Sequence, residues 1–260
     1  MGMKINPVLI LALISTVLVP AGLTDWWKKR TGIRLWCFAA GAICFFIFAL
    51  VLERMLHAVC ITGDNSISRT ILSSPVFYTL YAALAAGIFE ETGRLFGYRI
   101  LLRKERAKAC AAAYGIGHGG TEVLLLVSVN YLILLLAQAG MNFGAESVMT
   151  QLRSTADAIT LAGAGVALIE RISAMMVHIG LSMIMFVAAR QKGKLWLYPA
   201  AVLLHALTDI PAALFQYQGR QSIALIVFVE IYAFLCGIFC LLMGKKLLAG
   251  YEEPEAEHQQ

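Results

Sequence analysis

Seven apolar stretches, each close to the length that crosses a bilayer, dominate this chain, and its charged residues collect mainly in the gaps between them. A helix in lipid has no water to satisfy its backbone, so it needs about 20 consecutive mostly apolar residues to span the hydrocarbon layer. The stretches run over Ile5–Thr24, Leu35–Leu52, Thr70–Tyr98, Ala109–Gln138, Asp157–Ala189, Leu195–Tyr217 and Gln221–Gly244, with a polar loop at roughly 140–156. Residues are 60% hydrophobic and 14% charged, and mean hydropathy is +0.75. A soluble domain carries about 45–50% apolar and about 25% charged residues, so a water-soluble globule is excluded. The 22 Gly and 6 Pro form no repeat, which excludes a fibrous chain. The reading is an all-α, polytopic transmembrane bundle of about seven spans: one integral-membrane domain over 1–250, then an acidic, disordered tail over 251–260.

The net charge of +5 does not point to nucleic acid, because the basic residues sit at span ends. Lys28, Lys29, Arg30 and Arg34 follow the first span, and Arg99, Arg103, Lys104, Arg106 and Lys108 follow the third. Arg190, Lys192 and Lys194 follow the fifth, and Lys245 and Lys246 the seventh. Those fourteen fall on one face; Lys4, Arg54, Arg69, Arg153 and Arg220 fall on the other. Cytoplasmic loops concentrate Lys and Arg, so the N-terminus is expected outside and the C-terminus in the cytoplasm of a bacterial plasma membrane. One Lys precedes the first apolar run and four basic residues follow it, the reverse of a cleavable signal peptide. Six cysteines, mostly inside apolar runs and without a CxxC pair, read as packing residues rather than disulfides or thiolate ligands.

Ionisable residues inside spans are costly and mark function by default. Four spans carry them at similar depth. At 1.5 Å per residue, Glu90 lies about 12 Å in from Tyr98, and His118 about 14 Å from Ala109. His178 lies about 17 Å from Ala189, and His205 about 15 Å from Leu195. Three imidazoles and the Glu90–Glu91 carboxylates at one level are what a metal site in a helical bundle requires. Glu90 and Arg94, His118 and Glu122, and His205 and Asp209 are each four apart and share a helix face. Glu122 or Asp209 is placed to orient a ligand imidazole, while Arg94 and Arg171 can neutralise buried carboxylates. Zinc with three protein ligands keeps a position for water, and a nearby glutamate can take that water's proton.

Taken singly, each of these residues also has a structural reading. A lone buried His or Glu can serve as an interhelical hydrogen-bonding group, Glu170–Arg171 as an internal ion pair, and Asp209 as a cap before Pro211. His57 adjoins a loop and His258 lies in the tail, so both are expected to be solvated and idle. Tyr114-Gly-Ile-Gly-His-Gly-Gly-Thr-Glu122 lacks the GxxxxGK[ST] pattern. Its glycines, and the small residues Ala82 to Gly87, instead offer surfaces for close helix approach.

The ordered motifs Glu90-Glu91-Thr-Gly-Arg94, His118-Gly-Gly-Thr-Glu122, Glu170-Arg171 with His178, and His205-Ala-Leu-Thr-Asp209 resemble those of the YhfC family of intramembrane metalloproteases. That family resembles the PrsW and CAAX-protease/bacteriocin-immunity superfamily, whose glutamic-type site carries an EExxR or EExxxR motif and later histidines. The resemblance implies peptide-bond hydrolysis within the membrane, with Glu90 and Glu91 at the water-activating position and Arg94 supporting them. It implies His118, His178 and His205 as site histidines. The chain departs from the wider superfamily in having Asp209 where Asn is usual, and EExxR rather than EExxxR spacing. Those departures leave open the role of Asp209 and whether a metal is needed.

The sequence therefore predicts a peptidase acting on a membrane-associated peptide or protein, in a cavity open to the cytoplasmic side. His118, His178 and His205 are the expected ligands of a divalent metal, zinc by donor chemistry. Glu90, Glu91, Arg94, Glu122 and Asp209 are the expected catalytic group. Two alternatives use the same residues: an ion-coupled transporter with an intramembrane relay, or an immunity or scaffold protein with a residual site. Visible repeats and paired broken helices, which transporters often show, are missing from the sequence.

Overall fold

The computed structural model describes residues 5–219 and 222–253. Lys4, Arg220, Gln221 and the tail from 254, with His258, lie outside the described residues. Within them the chain is helical throughout: α1 Pro7–Thr31, α2 Leu35–Cys60, α3 Ser66–Leu72, α4 Pro75–Leu101, α5 Lys108–Gln138, α6 Glu146–Ala158, α7 Leu161–Arg190, α8 Leu197–Gln218 and α9 Ile223–Ala249. Six of these are long and apolar enough to cross a membrane by themselves, and α4 makes a seventh when taken with α3. The protein is an all-α polytopic membrane protein.

Three expectations change in detail. The third stretch does not run unbroken from Thr70, because α3 and α4 meet at a 108° bend. Pro75 lacks an N–H and disfavours helix in the residue before it. Ser74 accordingly turns extended, and its side chain accepts from the Val76 amide to cap α4. The polar 140–156 segment is largely helical, since α6 buries Met149 and Ala156. It is tied to the first helix by Asn6, whose amide donates to the carbonyls of Ala156 and Ile159, each at 2.9 Å. The tail is docked at its start. Tyr251 is buried edge-on against Phe186, and a Glu253 carboxylate oxygen accepts from the Lys108 amide at 2.8 Å. An acid there meets the unpaired N–H groups and positive dipole end of α5.

α7 is the central helix, and its half from Ser173 to Ala188 is largely buried. It packs on α9 and α5, while α8 packs on α4 and α2 on α5. Glycines make these approaches possible. A Cβ on Gly117 would stand 2.0 Å from the Phe38 carbonyl oxygen, and one on Gly180 would stand 2.3 Å from the Cys240 backbone. α9, by contrast, turns Leu235, Phe239 and Leu242 outward, as a lipid-facing helix does. Gly117→Ala therefore separates α2 from α5 and should cost about 1–3 kcal/mol in reversible SDS unfolding. Gly165→Ala, with nothing within 4 Å of the added methyl, should leave stability unchanged or raise it by up to about 1 kcal/mol.

Candidate metal centre

Small residues bring the four polar helices close enough for their side chains to meet. Gly87 of α4 faces the Val202 carbonyl of α8, Gly115 of α5 faces Ile179 of α7, and Gly119 lies against the His178 ring. At their junction the Glu90 Oε2 atom stands 2.8 Å from His118 Nε2, 3.7 Å from His178 Nδ1 and 3.8 Å from His205 Nε2. The rings follow one another at centroid separations of 5.0 Å (His118–His178) and 5.7 Å (His178–His205). All four residues are buried.

Glu91, next along α4, points elsewhere and is fully buried. Its Oε1 accepts from Arg94 Nη1 at 2.6 Å and from His205 Nδ1 at 2.7 Å. The fully buried Arg94 also donates to Ser182 Oγ at 3.3 Å and to His178 Nδ1 at 2.6 Å. A guanidinium only donates, so His178 Nδ1 holds its lone pair toward Arg94, and neutral His178 carries its proton on Nε2. That nitrogen lies against Glu122 Oε2. Glu122 is held on its other oxygen by Arg171 Nη1 at 2.9 Å, and Arg171 also pairs with Glu170. The motif residues thus form one chain of charge-assisted contacts, Glu91–Arg94–His178–Glu122–Arg171–Glu170, passing beside Glu90.

The donor set fits a divalent first-row ion. Ligand atoms of Glu90, His118 and His178 lie within 4.8 Å of one another. His178 Nδ1 would have to release Arg94 to ligate. His205 has no such constraint: Glu91 fixes its Nδ1–H, so Nε2 turns a lone pair toward Glu90 and toward Asp209 Oδ2 at 3.5 Å. Separations of 3.5–3.8 Å are too long for hydrogen bonds and close to the roughly 3.4 Å between neighbouring ligands of a tetrahedral zinc. A carboxylate behind a histidine is the usual support of a metal-binding imidazole. Glu90, His118 and His178 are the residues whose ligand atoms converge, and His205, with Asp209 at the edge, offers a further donor facing the same Glu90 oxygen.

Two cavities meet here. One, of 190 Å³, is lined by Glu90, Glu122, His178, His205 and Asp209 together with Glu170, Ala174 and Glu230. The other, of 460 Å³, is lined by Glu90 and Glu122 with Ala49, Glu53, His57 and Ala86. The direction is opposite to that expected. Ala86 precedes Glu90 on α4, Ala174 precedes His178 on α7, and Leu126 follows His118 on α5, so the lining lies on the side away from the basic loops. Toward the basic loops the bundle is filled by aromatic side chains. Tyr98 and Tyr114 pack tilted with ring centroids 4.6 Å apart, Phe186 stands edge-on to Tyr98 at 5.4 Å, and Tyr251 lies beyond. Their hydroxyls are satisfied: Tyr98 donates to Ser182 O at 3.0 Å and Tyr114 to Gly93 O at 3.2 Å. A cavity opening on the basic-loop face, as the sequence predicts, is thus replaced by a packed floor.

Two further departures concern residues outside the motifs. His57 is not a free solvated residue: Nδ1 is 2.8 Å from the Tyr81 hydroxyl and Nε2 is 3.2 Å from Glu53. Its signal was the Glu53–His57 spacing of four, the same as in the other His–carboxylate pairs. Glu230 was overlooked although it is an acid within the seventh span, and it lines the smaller cavity with a buried, unpartnered Oε2.

The Glu91–Arg94 pair gives a direct test of this arrangement. Removing one partner of a buried pair leaves the other charge uncompensated. Arg94→Leu should therefore cost about 3–5 kcal/mol in reversible SDS unfolding, and Glu91→Leu/Arg94→Leu should recover part of that loss. Glu91→Gln, which weakens the support behind His205, should lower zinc affinity about 10–100-fold in a competition titration.

The geometry can now be set beside known proteins. The "Uncharacterized membrane protein YhfC" of Bacillus subtilis (strain 168) is 30% identical over 256 residues, covering 92% of this chain and 97% of the relative. No solved structure matches the chain. The sequence profile of the YhfC intramembrane metalloprotease family matches residues 15–233, a span that holds every residue of the centre described above. This integral membrane protein belongs to the YhfC intramembrane metalloprotease family.

Proposed function

We propose that the protein is a metal-dependent peptidase that cleaves a membrane-associated peptide or protein inside the bundle. The observation that carries this reading is the position of Glu90: one carboxylate oxygen lies within 3.8 Å of three imidazoles, with Glu122 on the same cavity walls. Glu90, His118 and His178 would hold the ion, a two-histidine, one-glutamate set that suits zinc, with His205 beside it. When bound, such an ion polarises a carbonyl and makes water acidic enough to attack near neutral pH.

The remaining steps fall to the chain's own groups. Glu122 borders both cavities and is steadied by Arg171 and His178. It takes the proton from water as the oxygen attacks the peptide carbonyl carbon. It then returns that proton to the departing amine nitrogen, so the C–N bond breaks with no net change on the protein. His178 Nε2 lies against Glu122 and so orients the base, while its Nδ1 faces Glu90. Glu91 and Arg94 hold His205 and His178, which makes both positioning residues. A transporter would not need both glutamates beside the histidines, and the contacts of Glu90 with His118 and of Glu91 with His205 support the hydrolytic reading.

Two variants separate binding from proton transfer. Purified Glu122→Gln should retain zinc and lose about 10²–10⁴-fold in cleavage of a membrane-peptide library. Glu90→Ala should lose both zinc and cleavage. Undiminished cleavage by both variants would overturn the mechanism.

A further inference from the structure

The two cavities share only Glu90 and Glu122, so each borders the candidate centre from a different side. The smaller lies among α7, α8 and α9, with Ala174, Ala212 and Ala233 leaving room in its wall. The larger lies between α2, α4 and α5 and reaches Thr62, in the loop that follows α2. Widened π-helical turns form part of its wall: Phe46–Glu53 in α2 carries Ala49, Leu50 and Glu53, and Val123–Ser128 in α5 carries Leu126. Turns of this kind recur at functional sites because the extra residue opens space in the helix surface. Below the shared carboxylates, toward the basic loops, the packed Tyr98–Tyr114–Phe186–Tyr251 cluster closes the path.

We infer that substrate reaches the centre from the bundle face opposite the basic loops, as an extended segment lying across Glu90 and Glu122 from one cavity into the other. This rests on the peptidase reading for the identity of the occupant, but the route itself depends only on the two cavities and the aromatic floor. An extended backbone is the form that suits this path, because successive side chains point to opposite sides and the two cavities flank the same pair of carboxylates. With basic loops in the cytoplasm, the segment comes from the extracytoplasmic side. The substrate class is then a membrane-anchored or membrane-inserted polypeptide presented at the outer leaflet, not a cytoplasmic peptide.

Accessibility labelling tests the route without requiring turnover. Ala174→Cys and Ala86→Cys each place a thiol about one turn from the centre, in the smaller and larger cavity respectively. Lys104→Cys marks the exposed basic-loop face. Each variant is treated with a charged, membrane-impermeant methanethiosulfonate in right-side-out spheroplasts and in inverted vesicles. Adducts are counted by intact mass against the parent, whose six cysteines provide the baseline. The expected result is one added adduct at positions 86 and 174 in the orientation where position 104 is not labelled. Labelling from the same side as position 104 overturns the route. So does labelling of 86 and 174 only after denaturation in SDS, with native zinc content retained. If labelling follows the expected pattern and no peptide is cleaved, the route stands and the peptidase reading fails.

Discussion

The structure depends on a buried cation that has been given enough partners. Arg94 is fully enclosed in a helical bundle whose outer surface is apolar, and an unpaired guanidinium in such a place would cost several kcal/mol. Glu91, Ser182 and His178 receive its donors, so α4 and α7 are committed to one geometry around one side chain. From that commitment follow the tautomer of His178, the orientation of Glu122 and, through Glu91, the lone pair that His205 turns toward Glu90. The positioning of the centre is in this sense a consequence of neutralising Arg94.

Polar groups at this depth also need a dry, rigid side and a wet side. The aromatic cluster toward the basic loops supplies the first, with the Tyr98 and Tyr114 hydroxyls spent on carbonyls. The cavities beyond Glu90 and Glu122 supply the second, where water and an extended chain can enter. The proposed hydrolysis would need both, because a centre open at both faces would leak and one closed at both would have no access.

Much of this was legible in the sequence because helical geometry converts spacing into depth. Counting residues from basic span ends puts Glu90, His118, His178 and His205 at one level, and the fours that separate His118 from Glu122 and His205 from Asp209 put each pair on one face. What was not legible depends on which helices become neighbours. That His178 faces Arg94, eighty-four residues away in sequence, is settled by the packing of α4 against α7 and not by any local pattern. The direction of opening is likewise decided by how Tyr98, Tyr114 and Phe186 interlock, and charge counting over loops carries no information about that. Pro75 and the Glu53–His57 pair show a different shortfall: their signals were present and were outweighed by hydropathy.

Zinc K-edge X-ray absorption on protein purified in detergent and loaded with one equivalent of zinc tests the central claim most directly. The account predicts a first shell of nitrogen and oxygen at about 2.0–2.1 Å with the outer-shell scattering of two imidazoles. A sulfur shell near 2.3 Å, or zinc held only by water, would contradict it.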